Sequence, residues 1–140
     1  MREIIIRNEE ETREFGLELA GHLEPGDVLA LIGELGTGKT ALARYIAEGL
    51  GISRSIVSPT FGIVKEYTQG RIPLFHFDVY RLADSDEFIE IGGEEYFYEK
   101  NGVSIIEWAD IVEDILPEDT KYIYIEYGAD ENERIYRCTF

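Results

Sequence analysis

Val28-Leu29-Ala30-Leu31-Ile32-Gly33-Glu34-Leu35-Gly36-Thr37-Gly38-Lys39-Thr40 is the stretch that decides the fold. Its first five residues form an unbroken apolar run, as expected of a strand buried on both faces of a parallel sheet. The eight that follow fit G-x-x-x-x-G-K-[ST], and residues 39–50 read as a helix ended by Gly51. A strand, a glycine-rich turn and a helix in that order form a phosphate-binding loop. The N–H groups of such a loop, with the helix N-terminus behind them, make an anion cradle. Its lysine carries charge to the β- and γ-phosphates, and its hydroxyl residue coordinates magnesium. Gly33, Glu34, Leu35, Gly36, Thr37, Gly38, Lys39 and Thr40 are therefore expected to bind ATP with magnesium.

On either side of this loop the chain alternates strands and helices before turning mostly to strands. Residues 3–7 predict a short first strand. Asn8, with Glu11 three residues on, resembles a helix N-cap with a capping box, and Phe15, Leu19 and Leu23 recur at helical spacing. Residues 61–67 and 72–80 flank a hairpin-like turn at Gln69-Gly70-Arg71. Short helices are expected over 84–91 and 94–99, a buried strand over 102–106, and late strands over 121–127 and 134–140. The prediction is one α/β domain spanning residues 1–140, a three-layer P-loop NTPase core whose parallel sheet is extended by antiparallel strands.

A phosphate-binding loop needs a carboxylate at the end of a neighbouring strand, to hold magnesium directly or through water. Two apolar runs end in acids, Leu74-Phe75-His76-Phe77-Asp78 and Val103-Ser104-Ile105-Ile106-Glu107. One acid would order the metal and the other the attacking water, and the residues alone do not say which. Ser58-Pro59-Thr60 follows the loop helix and suits a γ-phosphate sensor or an ordinary turn. His76 has no partner visible in the sequence and reads as a structural strand residue. Arg81 suits phosphate charge or a surface ion pair, Trp108 a core position or a partner-facing anchor. The acids Asp84, Asp86, Glu87 and Glu90 read as a solvated helical face, and Cys138 as core.

Acidic residues outnumber basic ones by 29 to 13, for a net charge of −16. Such a surface repels nucleic-acid phosphates, so any RNA in the biology is expected to be held by a partner. The same charge suits a basic protein partner, or simply solubility. No apolar run approaches the roughly 18–20 residues of a membrane span, and the N-terminal apolar stretch is too short for a signal peptide. A cytoplasmic location is the expectation, and the lone cysteine means the fold does not depend on an internal disulfide.

The loop at residues 33–40, Ser58-Pro59-Thr60-Phe61, His76-Phe77-Asp78-Val79-Tyr80-Arg81-Leu82 and Ile106-Glu107-Trp108, in that order and spacing, resemble the bacterial TsaE (YjeE) family over nearly the whole chain. That family is the ATPase subunit of the machinery that makes threonylcarbamoyladenosine in tRNA, working with two partner proteins, TsaD and TsaB. The resemblance implies Thr40 and Glu107 as magnesium ligands, Lys39 on the phosphates, Asp78 as an essential acid near the metal and Trp108 as functionally important. By position it implies Asn8 or Thr12 beside the nucleotide base, with Arg134 as a further candidate. Two other classes share the phosphate-binding loop. A small-molecule kinase would need a basic lid, which 13 lysines and arginines against 29 acids make hard to assemble. A nucleotide-gated interaction module would bind ATP without turning it over, and the presence of both Asp78 and Glu107 favours hydrolysis.

Overall fold

In the computed structural model, which describes residues 1–53, 56–57 and 63–140, β1 (Arg2–Ile6) leads into α1 (Glu9–His22) and β2 (Val28–Gly33) into α2 (Lys39–Gly49). β3 (Val64–Tyr67) turns back as β4 (Leu74–Asp78), and the short helices α3 (Ser85–Glu90) and α4 (Glu95–Tyr98) precede β5 (Val103–Glu107). A 3-10 segment (Ala109–Ile115) then connects to the hairpin of β6 (Lys121–Tyr127) and β7 (Arg134–Cys138). The strands make one sheet in the order β1-β7-β6-β2-β5-β4-β3. β6, β2, β5 and β4 are parallel. β7 and β3 run against them, and β1 against β7. This is the parallel core with antiparallel extensions that the residue pattern predicts.

Strand parity divides the core into two layers of contact. Leu29 and Leu31 of β2, Leu74 of β4, Val103 and Ile105 of β5 and Ile123 and Ile125 of β6 pack with Leu19 and Ala20 of α1 and Leu42, Ala43 and Ile46 of α2. The alternate residues Val28, Ala30, Phe75, Phe77 and Ile106 pack with Phe88, Phe97, Ala109 and Val112 on the other face. Each fully buried Leu, Ile or Phe contributes about 1.5–3 kcal/mol of transfer free energy, so a one-residue slip of any central strand is strongly disfavoured. The same parity decides where the polar residues go. His76 and Asp78 share the face of Leu74, and Glu107 shares that of Ile105, so all three point to the α2 side.

α1 starts where expected: the Asn8 side chain accepts the Glu11 N–H at 2.9 Å. The Glu11 carboxylate reaches back to the Arg7 N–H at 2.7 Å, one residue earlier than in a standard capping box. Element ends fall within two residues of the predicted ones, with one exception. The strand expected from residue 61 begins at Val64, with Phe61 and Gly62 outside the described residues. The 3-10 segment was not foreseen. It follows Trp108, whose φ of 62° is left-handed, and it is kinked at Val112. So short and tight a segment shows no 3.6-residue periodicity.

Candidate functional site

β2 ends at Gly33 between β5 and β6, and the chain leaves the sheet's carboxyl edge there. In open α/β sheets this edge, where connections diverge to either side, is where ligands bind. A Cβ on Gly33 would lie 2.7 Å from the Ile125 carbonyl oxygen and 2.8 Å from Thr37 Oγ1, so the loop can fold back on β6 only without a side chain here. Gly38, the N-cap of α2, has φ 97°, a conformation that other residues resist. The first N–H groups of α2 beyond it lack intrahelical acceptors, as at any helix start. The β6–β7 hairpin braces the loop from outside. The Tyr127 hydroxyl donates to the Leu35 carbonyl at 2.7 Å and Arg134 Nε to the Thr37 carbonyl at 3.2 Å. The guanidinium lies 4.8 Å above the Tyr127 ring.

Behind the loop, charged groups converge on a cavity of about 340 Å³ lined by Gly36, Gly38, Lys39, Thr40, Asp78, Glu107 and Trp108, among others. Lys39 Nζ donates to the carbonyls of Gly33 at 2.7 Å and Glu34 at 3.0 Å and sits 4.0 Å from the Trp108 ring centroid. Burial pulls the Lys39 ammonium below the ordinary lysine range, while Glu107, Asp78 and Asp110 work in the opposite direction. The Thr40 hydroxyl donates to the Glu107 carboxylate, at 2.8 Å from Oε1 and 3.0 Å from Oε2. His76, fully buried on β4, places Nε2 2.6 Å from Glu107 Oε2. Asp78 pairs in register with Glu107 across β4 and β5, and its Oδ1 accepts the Tyr80 N–H at 3.1 Å. The Tyr80 ring packs 4.8 Å from Trp108.

The structure thus brings Lys39, Thr40, Asp78, Glu107 and Trp108 together. Asn8 and Thr12 do not line this cavity: Asn8 caps α1, and the Thr12 hydroxyl donates to the Asn8 carbonyl at 3.4 Å. Arg134 stands at the same sheet edge, aligned with Tyr127 and Ile6, and one of its bonds is to the loop backbone. Ser58, Pro59 and Thr60 lie outside the described residues. Cys138 is buried, and Asp84, Asp86, Glu87 and Glu90 are exposed, Asp84 also capping α3. A larger cavity of about 480 Å³ between β1 and α1 contains none of the loop residues. Sequence reasoning missed two contributors. His76 was legible in principle, because it lies two residues before Asp78 and therefore on the same face. Tyr127 left no signal, since its role arises from a hairpin closing on a distant loop.

The donors suit magnesium. A hard cation of that size takes oxygen ligands, usually one or two carboxylates beside substrate phosphates. Thr40 and Glu107 offer such oxygens at the mouth, with Asp78 beside them. No cluster of three or more His, Cys, Asp or Glu that would cage an ion by itself occurs among the described residues, and the one imidazole nearby has Nε2 directed at Glu107.

A sequence model of the family described as "Threonylcarbamoyl adenosine biosynthesis protein TsaE" matches residues 6–136. The tRNA threonylcarbamoyladenosine biosynthesis protein TsaE of Bacillus subtilis is 45% identical over 128 residues, 91% of this chain and 79% of that protein. The protein of the same name from Treponema pallidum is 41% identical over 131 residues, 94% of this chain and 96% of its own length. The crystal structure of Bacillus subtilis YdiB superposes with a TM-score of 0.83 at 41% identity, covering 96% of this chain and 82% of that one. No described helix is long and apolar enough to cross a membrane.

Proposed function

Because the chain belongs to the family of threonylcarbamoyl adenosine biosynthesis protein TsaE, we propose that it binds ATP with magnesium at residues 33–40 and hydrolyses it, in support of threonylcarbamoyladenosine formation in tRNA with partner proteins TsaD and TsaB. The observation that carries this reading is the meeting of Thr40 with Glu107 at 2.8 Å, directly beside Lys39 and Asp78 at the mouth of a glycine-rich loop.

Each residue then has a task. Loop N–H groups receive the phosphates. Lys39 exchanges the Gly33 and Glu34 carbonyls for phosphate oxygens, bringing its charge to where the leaving group develops. Thr40 and Glu107 would hold magnesium, which would offset the negative charge of the bound phosphates. Asp78 orients the attacking water and accepts its proton as the oxygen bonds to the γ-phosphorus and the β–γ bridge breaks. Trp108 covers the aliphatic and cationic end of Lys39, excluding water from the charge. The net charge of −16 suits a subunit that leaves tRNA to its partners.

The test is release of free phosphate from ATP and magnesium by the chain alone and with purified TsaD and TsaB. Release that rises on adding the partners supports the proposal. Bound ATP with no phosphate release under either condition would replace hydrolysis by a nucleotide-gated switch.

A further inference from the structure

We infer that His76 is a positioning residue that fixes the Glu107 carboxylate for magnesium, an inference that rests on the nucleotide reading above. His76 is completely buried and Glu107 nearly so. They sit on adjacent parallel strands, on the same face, with Nε2 2.6 Å from Oε2. In its ionised form, the form that would bind magnesium, the carboxylate can only accept, and Nε2 then carries the proton of this bond. His76 Nδ1 is buried and has no partner among the described residues. A leucine or phenylalanine would fill this strand position without stranding a polar atom. The imidazole is thus a poor choice for packing alone, and what it contributes is a donor aimed at one oxygen of Glu107.

The geometry of the carboxylate supports the assignment. Thr40 faces both oxygens nearly equally, at 2.8 and 3.0 Å, so it does not fix the rotation of the group. A Thr40 oxygen that serves the metal keeps its proton and can still give it to either Glu107 oxygen, so Thr40 selects neither. His76 then remains as the donor that holds Oε2 back. Groups that orient a metal ligand from behind typically change metal affinity about 10- to 100-fold when removed.

The experiment compares ADP dissociation constants with magnesium and with EDTA for wild type, His76→Leu and His76→Gln, alongside thermal unfolding without nucleotide. Glutamine keeps an N–H donor at similar reach. Magnesium is expected to tighten ADP binding to wild type, and this enhancement falls about tenfold or more in His76→Leu. Affinity in EDTA stays within about twofold of wild type, because the phosphate loop itself is untouched, and His76→Gln recovers most of the enhancement. An unaltered enhancement in His76→Leu would overturn the role, as would parallel loss in both conditions with no recovery by glutamine. Should His76→Leu not fold, imidazole nitrogen shifts of the wild type decide: a proton on Nδ1 rather than Nε2 overturns the inference. Wild type that binds no ADP in either condition refutes the nucleotide reading and this role with it.

Discussion

Replacing Glu107 by glutamine and by alanine is expected to separate function from stability, and the size of each effect follows from the contacts. Glu107 is 3% exposed and faces two donors, the Thr40 hydroxyl and the His76 Nε2–H. In Glu107→Gln the amide oxygen still accepts from His76, and Thr40, on the cavity wall, rotates to accept from the new NH₂ group. A charge-assisted bond is weakened by about 1 kcal/mol, while the cost of burying a carboxylate disappears. In Glu107→Ala the His76 N–H loses its acceptor, which only water entering from the cavity that Glu107 lines could replace, at a cost of about 1–3 kcal/mol. For 140 residues, an unfolding entropy of about 2.1 cal/mol/K per residue makes 1 kcal/mol equal to roughly 3 °C. Glu107→Gln should therefore melt within about 3 °C of wild type and Glu107→Ala about 3–10 °C lower. Both should lose at least about a hundredfold in magnesium-dependent phosphate release, or roughly 2.7 kcal/mol of transition-state stabilisation. Thermal unfolding in EDTA and phosphate release with the partner proteins measure the two quantities. Wild-type turnover in Glu107→Gln would refute a metal role, and a Gln variant as unstable as the Ala variant would mark the acid as structural.

Gly33→Ala should abolish nucleotide binding while leaving the chain folded, because its Cβ meets the Ile125 carbonyl and Thr37 Oγ1 within 2.8 Å; tight ADP binding by the variant would show that the loop can shift at no cost. Tyr127→Phe removes the hydroxyl bond to the Leu35 carbonyl, which is partly solvated, so about 0.5–1.5 kcal/mol is at stake and ADP affinity should fall severalfold; unchanged affinity in calorimetry would mean the hairpin does not brace the loop. Lys39 has its folded-state pKa lowered by burial below 10.5. Between the two values the unfolded chain binds more protons, so stability rises with pH across that window, and below it the cost of the buried charge is constant. Polyphosphate affinity should fall in the same alkaline window; denaturation curves and ADP titrations of wild type and Lys39→Met check both, and a stability slope that persists in Lys39→Met would assign it to another group.

The loop and its flanking elements were legible because local chemistry fixes them: an apolar run, glycines and a helix start tolerate few other conformations. The acids at 78 and 107 were legible as strand ends, and their register across β4 and β5 makes them neighbours. What the residues hid was long-range. The partner of His76 is 31 residues away, and only strand parity together with the β4–β5 pairing joins them. Arg134 shows the same limit. Its position suggested the nucleotide base, yet its contact to Thr37 depends on a hairpin 97 residues downstream of the loop. β1 was seen as a strand, but its pairing with β7 at the opposite end of the chain carries no local mark. The 3-10 segment after Trp108 was invisible because a left-handed tryptophan, rather than a turn residue, starts it.

The central claim is that residues 33–40 bind a nucleotide through Lys39 and Thr40, and its most direct test is a calorimetric titration of ATP with magnesium into wild type, Lys39→Ala and Thr40→Ala, each first shown to be folded. Saturable binding at one site in wild type, lost in Lys39→Ala and sharply weakened in Thr40→Ala, is the predicted result. No binding to wild type, or equal binding by all three proteins, would contradict it.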